Sequence, residues 1–209
     1  MVDTRHEYHN LSSIYVPIAI GVWVAIALAT GYALVRYRRR PGRVPSGRDE
    51  AQAPELAYVA VLTGIAAMLL YFTFTTENKV DALPRHPGLV LRVTAGQWNW
   101  RFNYPNGASV LSSNLRQRDM VVPTGTEILV KLHSVDVVHS LWIPATRIKK
   151  DAFPGADNEL KLSFPKPGAF RGECAEFCGL HHAEMRFGVK AVRPAQFQTW
   201  LRQQAGGGG

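Results

Sequence analysis

Two long apolar runs near the N-terminus constrain the fold more than any other feature. IYVPIAIGVWVAIALATGYALV, residues 14–35, carries no charge over 22 residues, and LAYVAVLTGIAAMLLYFTFT, residues 56–75, carries none over 20. At about 1.5 Å of rise per residue, a helix of either length crosses a hydrocarbon core roughly 30 Å thick. A buried helix of a soluble protein is the competing reading, but two uncharged runs of this length are rare outside membranes. A two-helix transmembrane hairpin is therefore expected within residues 1–80. The leading MVDTRHEYHNLSS sets Arg5 against Asp3 and Glu7, so it lacks the basic lead of a secretory signal. The first run also exceeds the usual apolar core of such a signal, about 7–15 residues, and is expected to stay as an anchor.

The loop between the runs sets the expected orientation. RYRRRPGR places Arg36, Arg38, Arg39, Arg40 and Arg43 directly after the first run. Clusters of this kind stay on the cytoplasmic side, which puts loop 36–55 inside and both termini outside the cell membrane. A nucleic-acid patch is the rival reading, but arginines abutting a span speak first to topology, and no nucleic-acid partner is expected.

Beyond Val80 the apolar period changes. LVLRVTA (89–95) and QWNWRFNY (97–104) alternate, the latter setting Trp98, Trp100, Phe102 and Tyr104 against Gln97, Asn99, Arg101 and Asn103. EILVKL (127–132), VVHSLWI (137–143), LKLSF (160–164), AFRGE (169–173) and MRFGVKAV (185–192) continue in short pieces between Pro and Gly turns. Many short strands with regular turn signals predict an all-β sandwich or barrel over 81–205. PAQFQTWLRQQ (194–204) reads as a closing helix with Pro194 in its first turn. The glycines at 206–209 read as a flexible tail.

Both cysteines of the chain lie in GECAEFCGLHHAEMRFG, residues 172–188. A disulfide closing so short an interval would remove little loop entropy, and it leaves His182 and Met185 without a role. Zinc would accept Cys174, Cys178 and a histidine, with a fourth ligand from elsewhere. The soft thioether of Met185 suits copper better than zinc. A single copper electron-transfer site needs two histidines, one cysteine and a weak methionine, and His139 is a distant candidate for the second histidine. One cysteine is then in excess, whereas two thiolates bridging two coppers use both.

The pattern C-x-E-x-C-G-x-x-H-x-x-M, present as Cys174, Glu176, Cys178, Gly179, His182 and Met185, resembles the dinuclear copper A loop of cytochrome c oxidase subunit II. DVVHSLWIP around His139 resembles that family's D-V-x-H-S segment, and KKDAFPG (149–155) its K-x-D-A-x-P-G segment. QWNW resembles its aromatic strand, and the two-helix anchor matches as well. The resemblance covers nearly the whole chain. It implies a cupredoxin-like Greek-key domain that takes electrons from a cytochrome c-type donor and relays them to the haem of catalytic subunit I. There, in a haem–copper terminal oxidase, oxygen is reduced to water with proton translocation; this chain supplies no oxygen-reducing site.

Residue by residue, the resemblance implies copper ligation by His139, Cys174, Cys178, His182, Met185 and the backbone carbonyl of Glu176. His181 falls on a position that the family does not use as a ligand. The Glu176 side chain would face a magnesium site shared with the catalytic subunit, with Asp151 on a matching segment nearby. Trp98 matches the aromatic through which electrons enter, with Trp100 a second candidate, and Glu55 matches a glutamate at the mouth of a proton pathway. A strand-core tryptophan and a glutamate stabilised at a helix N-terminus are the plain alternatives for Trp98 and Glu55. Asp136 is expected either to fix His139 or to cap a turn.

Two features depart from the family pattern. The second apolar run contains no proline, and from Arg85 onward 16 Lys and Arg face 9 Asp and Glu. Family members commonly offer acidic residues to a basic cytochrome c, so this chain points to a neutral or acidic donor, or to attraction by anionic lipid. Two other functions share parts of the signal. One is the copper A subunit of a nitric oxide reductase; the other is a membrane-anchored copper-binding or assembly protein, which would need exchangeable ligands rather than a fixed site.

Overall fold

A computed structural model describes residues 4–38, 42 and 51–205. Arg39, Arg40 and Arg43 of the expected cytoplasmic cluster, and the glycines 206–209, lie outside the described residues. The chain forms two compact units, a helical one over Tyr8–Asn78 and another that holds all the described strands.

Helix α1 spans Thr4–Arg36 and α2 spans Gln52–Asp81, and together they supply the helical unit. Both helices run past their uncharged stretches into flanking polar residues that are compatible with helix. Both are long and apolar enough to cross a membrane, and neither buries a single residue within the chain. Tyr15 donates its hydroxyl to the Leu69 carbonyl at 2.8 Å and meets the Thr73 hydroxyl, a polar tie between otherwise apolar helices. Glu55 sits in the first turn of α2, where its carboxylate accepts the Ala51 N–H at 3.2 Å. That contact satisfies one of the donors a helix start leaves open.

The second unit contains β1 (Leu89–Gly96), β2 (Asn99–Asn103), β3 (Ser109–Ser113), β4 (Asp119–Pro123) and β5 (Glu127–Ser134). It continues with β6 (His139–Ile143), β7 (Ile148–Ala152), β8 (Asn158–Ser163), β9 (Gly168–Cys174), β10 (Arg186–Val192) and the closing α3 (Pro194–Ala205). Two five-stranded sheets, ordered β3-β2-β1-β5-β8 and β4-β10-β9-β6-β7, face each other. The β1–β5 and β10–β4 pairs are parallel; the other pairs are antiparallel.

Alternation decides which side chains meet between the sheets. Leu91, Val93 and Ala95 of β1, Trp100 and Phe102 of β2, and Ile128, Val130 and Leu132 of β5 are buried on one side. Met120 and Val122 of β4 and Phe187, Val189 and Ala191 of β10 oppose them. Each large side chain removed from water contributes about 1.5–3 kcal/mol, which is why the two-residue period fixes strand register.

The aromatic run 97–104 is not one strand. Gly96 pairs with Asn99, so Gln97 and Trp98 form a two-residue turn between β1 and β2. Trp100, Phe102 and Tyr104 point into the core as the alternation predicts, whereas Trp98 leaves the strand and stands half-buried at the end of the sandwich.

Gly172 shows how tightly this core closes. A Cβ there would meet Cζ of Phe187 at 2.1 Å, and the Phe187 ring is itself wedged against Trp100 and Phe102 at 5.6 and 5.3 Å between centroids. Gly172→Ala is expected to destabilise the unit by about 1–3 kcal/mol, the usual cost of overpacking. Thermal unfolding of the purified chain followed by tryptophan fluorescence should show a lower midpoint; an unchanged midpoint would mean that the ring can move aside.

Candidate metal centre

The end of the sandwich carrying the β1–β2 turn also gathers both cysteines with His139, His182 and Met185. His139 opens β6, and Cys174 closes β9. These strands are neighbours, with Leu141 opposite Cys174 and Trp142 opposite Glu173. The segment from Ala175 to Met185 then loops over this end before β10 begins. Three backbone bonds pin it: Cys174 N–H donates to the Met185 carbonyl at 3.0 Å, Ala175 N–H to Ser140 at 3.0 Å, and His182 N–H to Gly179 at 3.1 Å. Gly179 adopts φ 111°, where a side chain is disfavoured, and a Cβ would lie 3.1 Å from the Gln97 amide and 3.4 Å from the Trp98 ring. The loop therefore lies directly against the β1–β2 turn.

Side-chain donors form a chain of contacts. His139 Nδ1 lies 3.8 Å from Cys174 Sγ, the two sulfurs are 3.8 Å apart, and Cys178 Sγ lies 3.5 Å from His182 Nδ1. Glu176 contributes its carbonyl 3.2 Å from Cys174 Sγ, and Met185 its Sδ 3.8 Å from Cys178 Sγ. Both cysteines are free, so no disulfide joins them. His139, Cys174, Cys178 and Met185 are all buried. Among the described residues, His139, Cys174 and Cys178 form the one cluster of three or more His, Cys, Asp or Glu ligand atoms lying within 4.8 Å of one another.

The arrangement has an internal symmetry. Each sulfur has one imidazole nitrogen and one weaker donor beside it: His139 and the Glu176 carbonyl at Cys174, His182 and Met185 at Cys178. Sulfur-rich sets of this kind suit copper, and neither magnesium nor calcium, which take oxygen ligands. Zinc would be served by the thiols and imidazoles but has no use for a buried thioether facing the pair.

Asp136 supports the site from outside. Its carboxylate accepts from His139 Nε2 at 2.9 Å, from the Gln97 N–H at 2.6 Å and from the Val137 N–H at 2.7 Å. With Nε2–H engaged, the Nδ1 lone pair of His139 is left facing Cys174. Both expectations for Asp136 are met at once, because one carboxylate orients the imidazole and closes the β5–β6 turn. Burial works against its ionisation, but the hydrogen bonds from His139, Gln97 and Val137 outweigh it and hold the carboxyl below its ordinary range. Burial likewise opposes charge on His139, and its bonds to Cys174 and Asp136 overcome this and raise its pKa.

The two thiols differ. Burial resists ionisation at Cys174, but the adjoining His139 and backbone hydrogen bonds at Glu176 and Ser140 bring it down to about 7. At Cys178, burial and the neighbouring Cys174 charge act together and push the thiol up to about 12. One thiolate forms readily, and the second needs a positive charge in place of its proton.

The remaining sequence-predicted residues take distinct places. His181 lies outside the donor chain; its Nδ1 pairs with Glu184 at 3.1 Å, and its ring packs edge-on to Trp98 at 4.6 Å. Trp98 donates its indole N–H to the Cys178 carbonyl at 3.1 Å. Trp100 is fully buried, with its indole N–H 3.4 Å from the Met185 carbonyl. The Glu176 side chain is exposed and 3.9 Å from Lys149 Nζ. Asp151 lies on β7 opposite Ser140 and keeps one carboxylate oxygen buried without a partner; no hydrogen bond joins it to Glu176 among the described residues. Gln97 is the residue that sequence reasoning missed: its side-chain amide donates to the Cys178 carbonyl at 2.8 Å. Only its place beside Trp98 at a hairpin turn hints at this, and alternation alone assigned it to the solvent face of a strand.

Comparison with known proteins agrees with this geometry. Residues 89–192 match the family described as "Cytochrome C oxidase subunit II, periplasmic domain". Cytochrome c oxidase subunit 2 of Alkalihalophilus pseudofirmus is 30% identical over 175 residues, covering 80% of this chain and 50% of that one. The corresponding protein of Cereibacter sphaeroides is 27% identical over 238 residues, covering 96% of this chain and 77% of that one. The chain thus spans about half the length of the first of these relatives. The crystal structure of the periplasmic domain of subunit II of cytochrome oxidase from Bradyrhizobium japonicum superposes with a TM-score of 0.55 at 31% identity, covering 59% of this chain and 96% of that domain. The two-sheet sandwich is the cupredoxin-like fold of that domain, and the chain belongs to the cytochrome c oxidase subunit II family.

Proposed function

We propose that this chain is the electron-entry subunit of a haem–copper terminal oxidase. It would accept electrons from a cytochrome c-type donor outside the cell membrane and deliver them to the haem-bearing catalytic subunit, which reduces oxygen to water and translocates protons. Residues 1–80 would anchor it in the bilayer and 81–205 would form the exported copper domain. The observation that carries this reading is the doubled donor set, in which each of two adjacent sulfurs has its own imidazole and its own weak donor.

His139, Cys174, Cys178, His182, Met185 and the Glu176 carbonyl would hold two copper ions. A copper pair bound there supplies a one-electron store that changes little in shape between its oxidised and reduced forms. The chain's own residues do the rest. Asp136 holds the His139 ring so that its free nitrogen faces inward, and the buried Met185 and Trp100 keep water from the sulfurs. Trp98, half-buried and bonded to the Cys178 carbonyl, offers the outside route for electrons. The Glu176 carboxylate, already exposed, would complete a magnesium site with groups of the catalytic subunit, with Asp151 on the adjoining strand. Glu55, at the start of α2, would stand at a proton-pathway entrance.

Three outcomes test this. His182→Ala should lose copper while His181→Ala retains it, measured as copper per chain in the purified protein, since of these two histidines only His182 faces a cysteine sulfur; equal copper in both variants would remove His182 from the ligand set. Asp136→Ala should weaken copper binding about 10–100-fold, the usual penalty for losing the partner that orients a ligand histidine, and competition with a chelator reads it directly. Because Cys178 keeps its proton at neutral pH, copper uptake should release protons and strengthen as pH rises from 6 to 8. Uptake monitored with a pH indicator in weak buffer checks the sign, and pH-independent binding would mean that Cys178 is not a ligand.

A further inference from the structure

Four of the 16 basic residues from Arg85 onward share one face of the β unit with two of the 9 acidic ones. Arg118 lies in the β3–β4 loop, Arg171 on β9, and Arg186 and Lys190 on β10; all four are exposed on the outer side of the β4–β10–β9 sheet. None of the four enters an ion pair among the described residues. Two carboxylates, Asp119 and Glu173, share the face, and neither lies within ion-pair distance of the four cations. Two depressions run across it: one of about 570 Å³, lined by Arg118 and Lys190 together with Trp200 of α3, and one of about 390 Å³, lined by Arg171 and Arg186. Gln117 and Asp119 line both, so the two depressions are neighbours.

This face adjoins the candidate metal centre. Arg186 follows Met185 directly and stands opposite Glu173, the neighbour of Cys174. Leu115, 92% exposed in the same β3–β4 loop, adds an apolar contact point beside the arginines. The acids on the loops at the metal end are already engaged within the chain: Asp136 by His139, Asp157 by His133, Glu176 by Lys149 and Glu184 by His181. On the sheet face itself four unpaired cations outnumber two carboxylates, so that face complements a negatively charged partner.

We propose that the outer face of β4, β10 and β9, with the β3–β4 loop, is the docking surface for an acidic electron-carrier protein. This rests on the electron-entry role proposed above and specifies the donor's chemistry. An unpaired cationic sheet face beside the metal centre steers such a donor to the end where Trp98 and the sulfurs lie, and it disfavours a basic cytochrome c.

The test uses the complete oxidase, this chain with its catalytic subunit, in discs of uncharged lipid. Its rates of reduction by an acidic and by a basic cytochrome c are compared from 0.01 to 0.15 M salt, over which the screening length falls from about 30 to about 8 Å. The acidic donor should react faster at low salt and slow by about tenfold across that range. Arg171→Gln combined with Lys190→Gln should slow the acidic donor several-fold at low salt, flatten its salt dependence and weaken its binding measured without turnover. Copper content and oxidation of a small uncharged reductant should not change. A faster basic donor, or unaltered rates and binding in the double variant, would overturn the proposal. So would a double variant that loses affinity for anionic lipid vesicles but keeps its donor rate, since the face would then serve headgroups. If the unsubstituted complex with full copper fails to oxidise even the small reductant, the electron-entry role itself falls, and this proposal with it.

Discussion

Antiparallel pairing of β6 with β9 sets Leu141 opposite Cys174, and the rest of the candidate centre depends on that register. It brings His139, thirty-five residues upstream in sequence, to 3.8 Å from a cysteine sulfur. A one-residue slip of β6 would turn His139 to the other face of the sheet, away from Cys174, because side chains alternate along a strand. The register is in turn fixed by the core: Leu141, Ile143 and Phe187 lie inside, and Gly172 leaves room for the Phe187 ring. Core packing and site geometry are thus one constraint, expressed at two places along the same strands.

Around that register, the centre is held by a small polar network rather than by the donors alone. Asp136 bonds both to His139 and to the N–H of Gln97, while the Gln97 amide and the Trp98 indole both bond to the Cys178 carbonyl. The β5–β6 turn, the β1–β2 turn and the β9–β10 loop are therefore linked through three side chains, those of Asp136, Gln97 and Trp98. A site built this way keeps its donors in place before any metal arrives, which favours fixed ligation over exchange with a carrier. That pre-arrangement weighs against a copper-delivery protein, whose ligands must open to a partner.

Much of this was legible in the sequence, for physical reasons that differ between residues. The loop spacing of Cys174, Cys178, His182 and Met185 is short enough for one segment to present all four, so the motif itself carried the chemistry. His139 was a candidate because a copper set needs a second histidine, and the resemblance of its surrounding segment to a known family singled it out; no local signal ties it to a loop so far away. Alternation read β1, β2, β5 and β10 well because their inward positions are large and apolar. It failed for β3, where the inward Ser112 is satisfied by the Arg186 carbonyl and the Arg118 N–H instead of by apolar packing. It failed also for β7, whose IKKDA carries consecutive charges on a strand that pairs along one edge only. Trp98 fits the alternating pattern as well as Trp100 does, and only the hairpin register separates a surface tryptophan from a core one.

The central claim is that this chain binds a copper pair bridged by its two cysteines. Copper quantitation combined with electron paramagnetic resonance on the purified chain tests it most directly. The account predicts two coppers per chain sharing one unpaired electron, with that signal lost in Cys174→Ser. One copper per chain with an isolated-ion spectrum, or zinc with no signal, would contradict it.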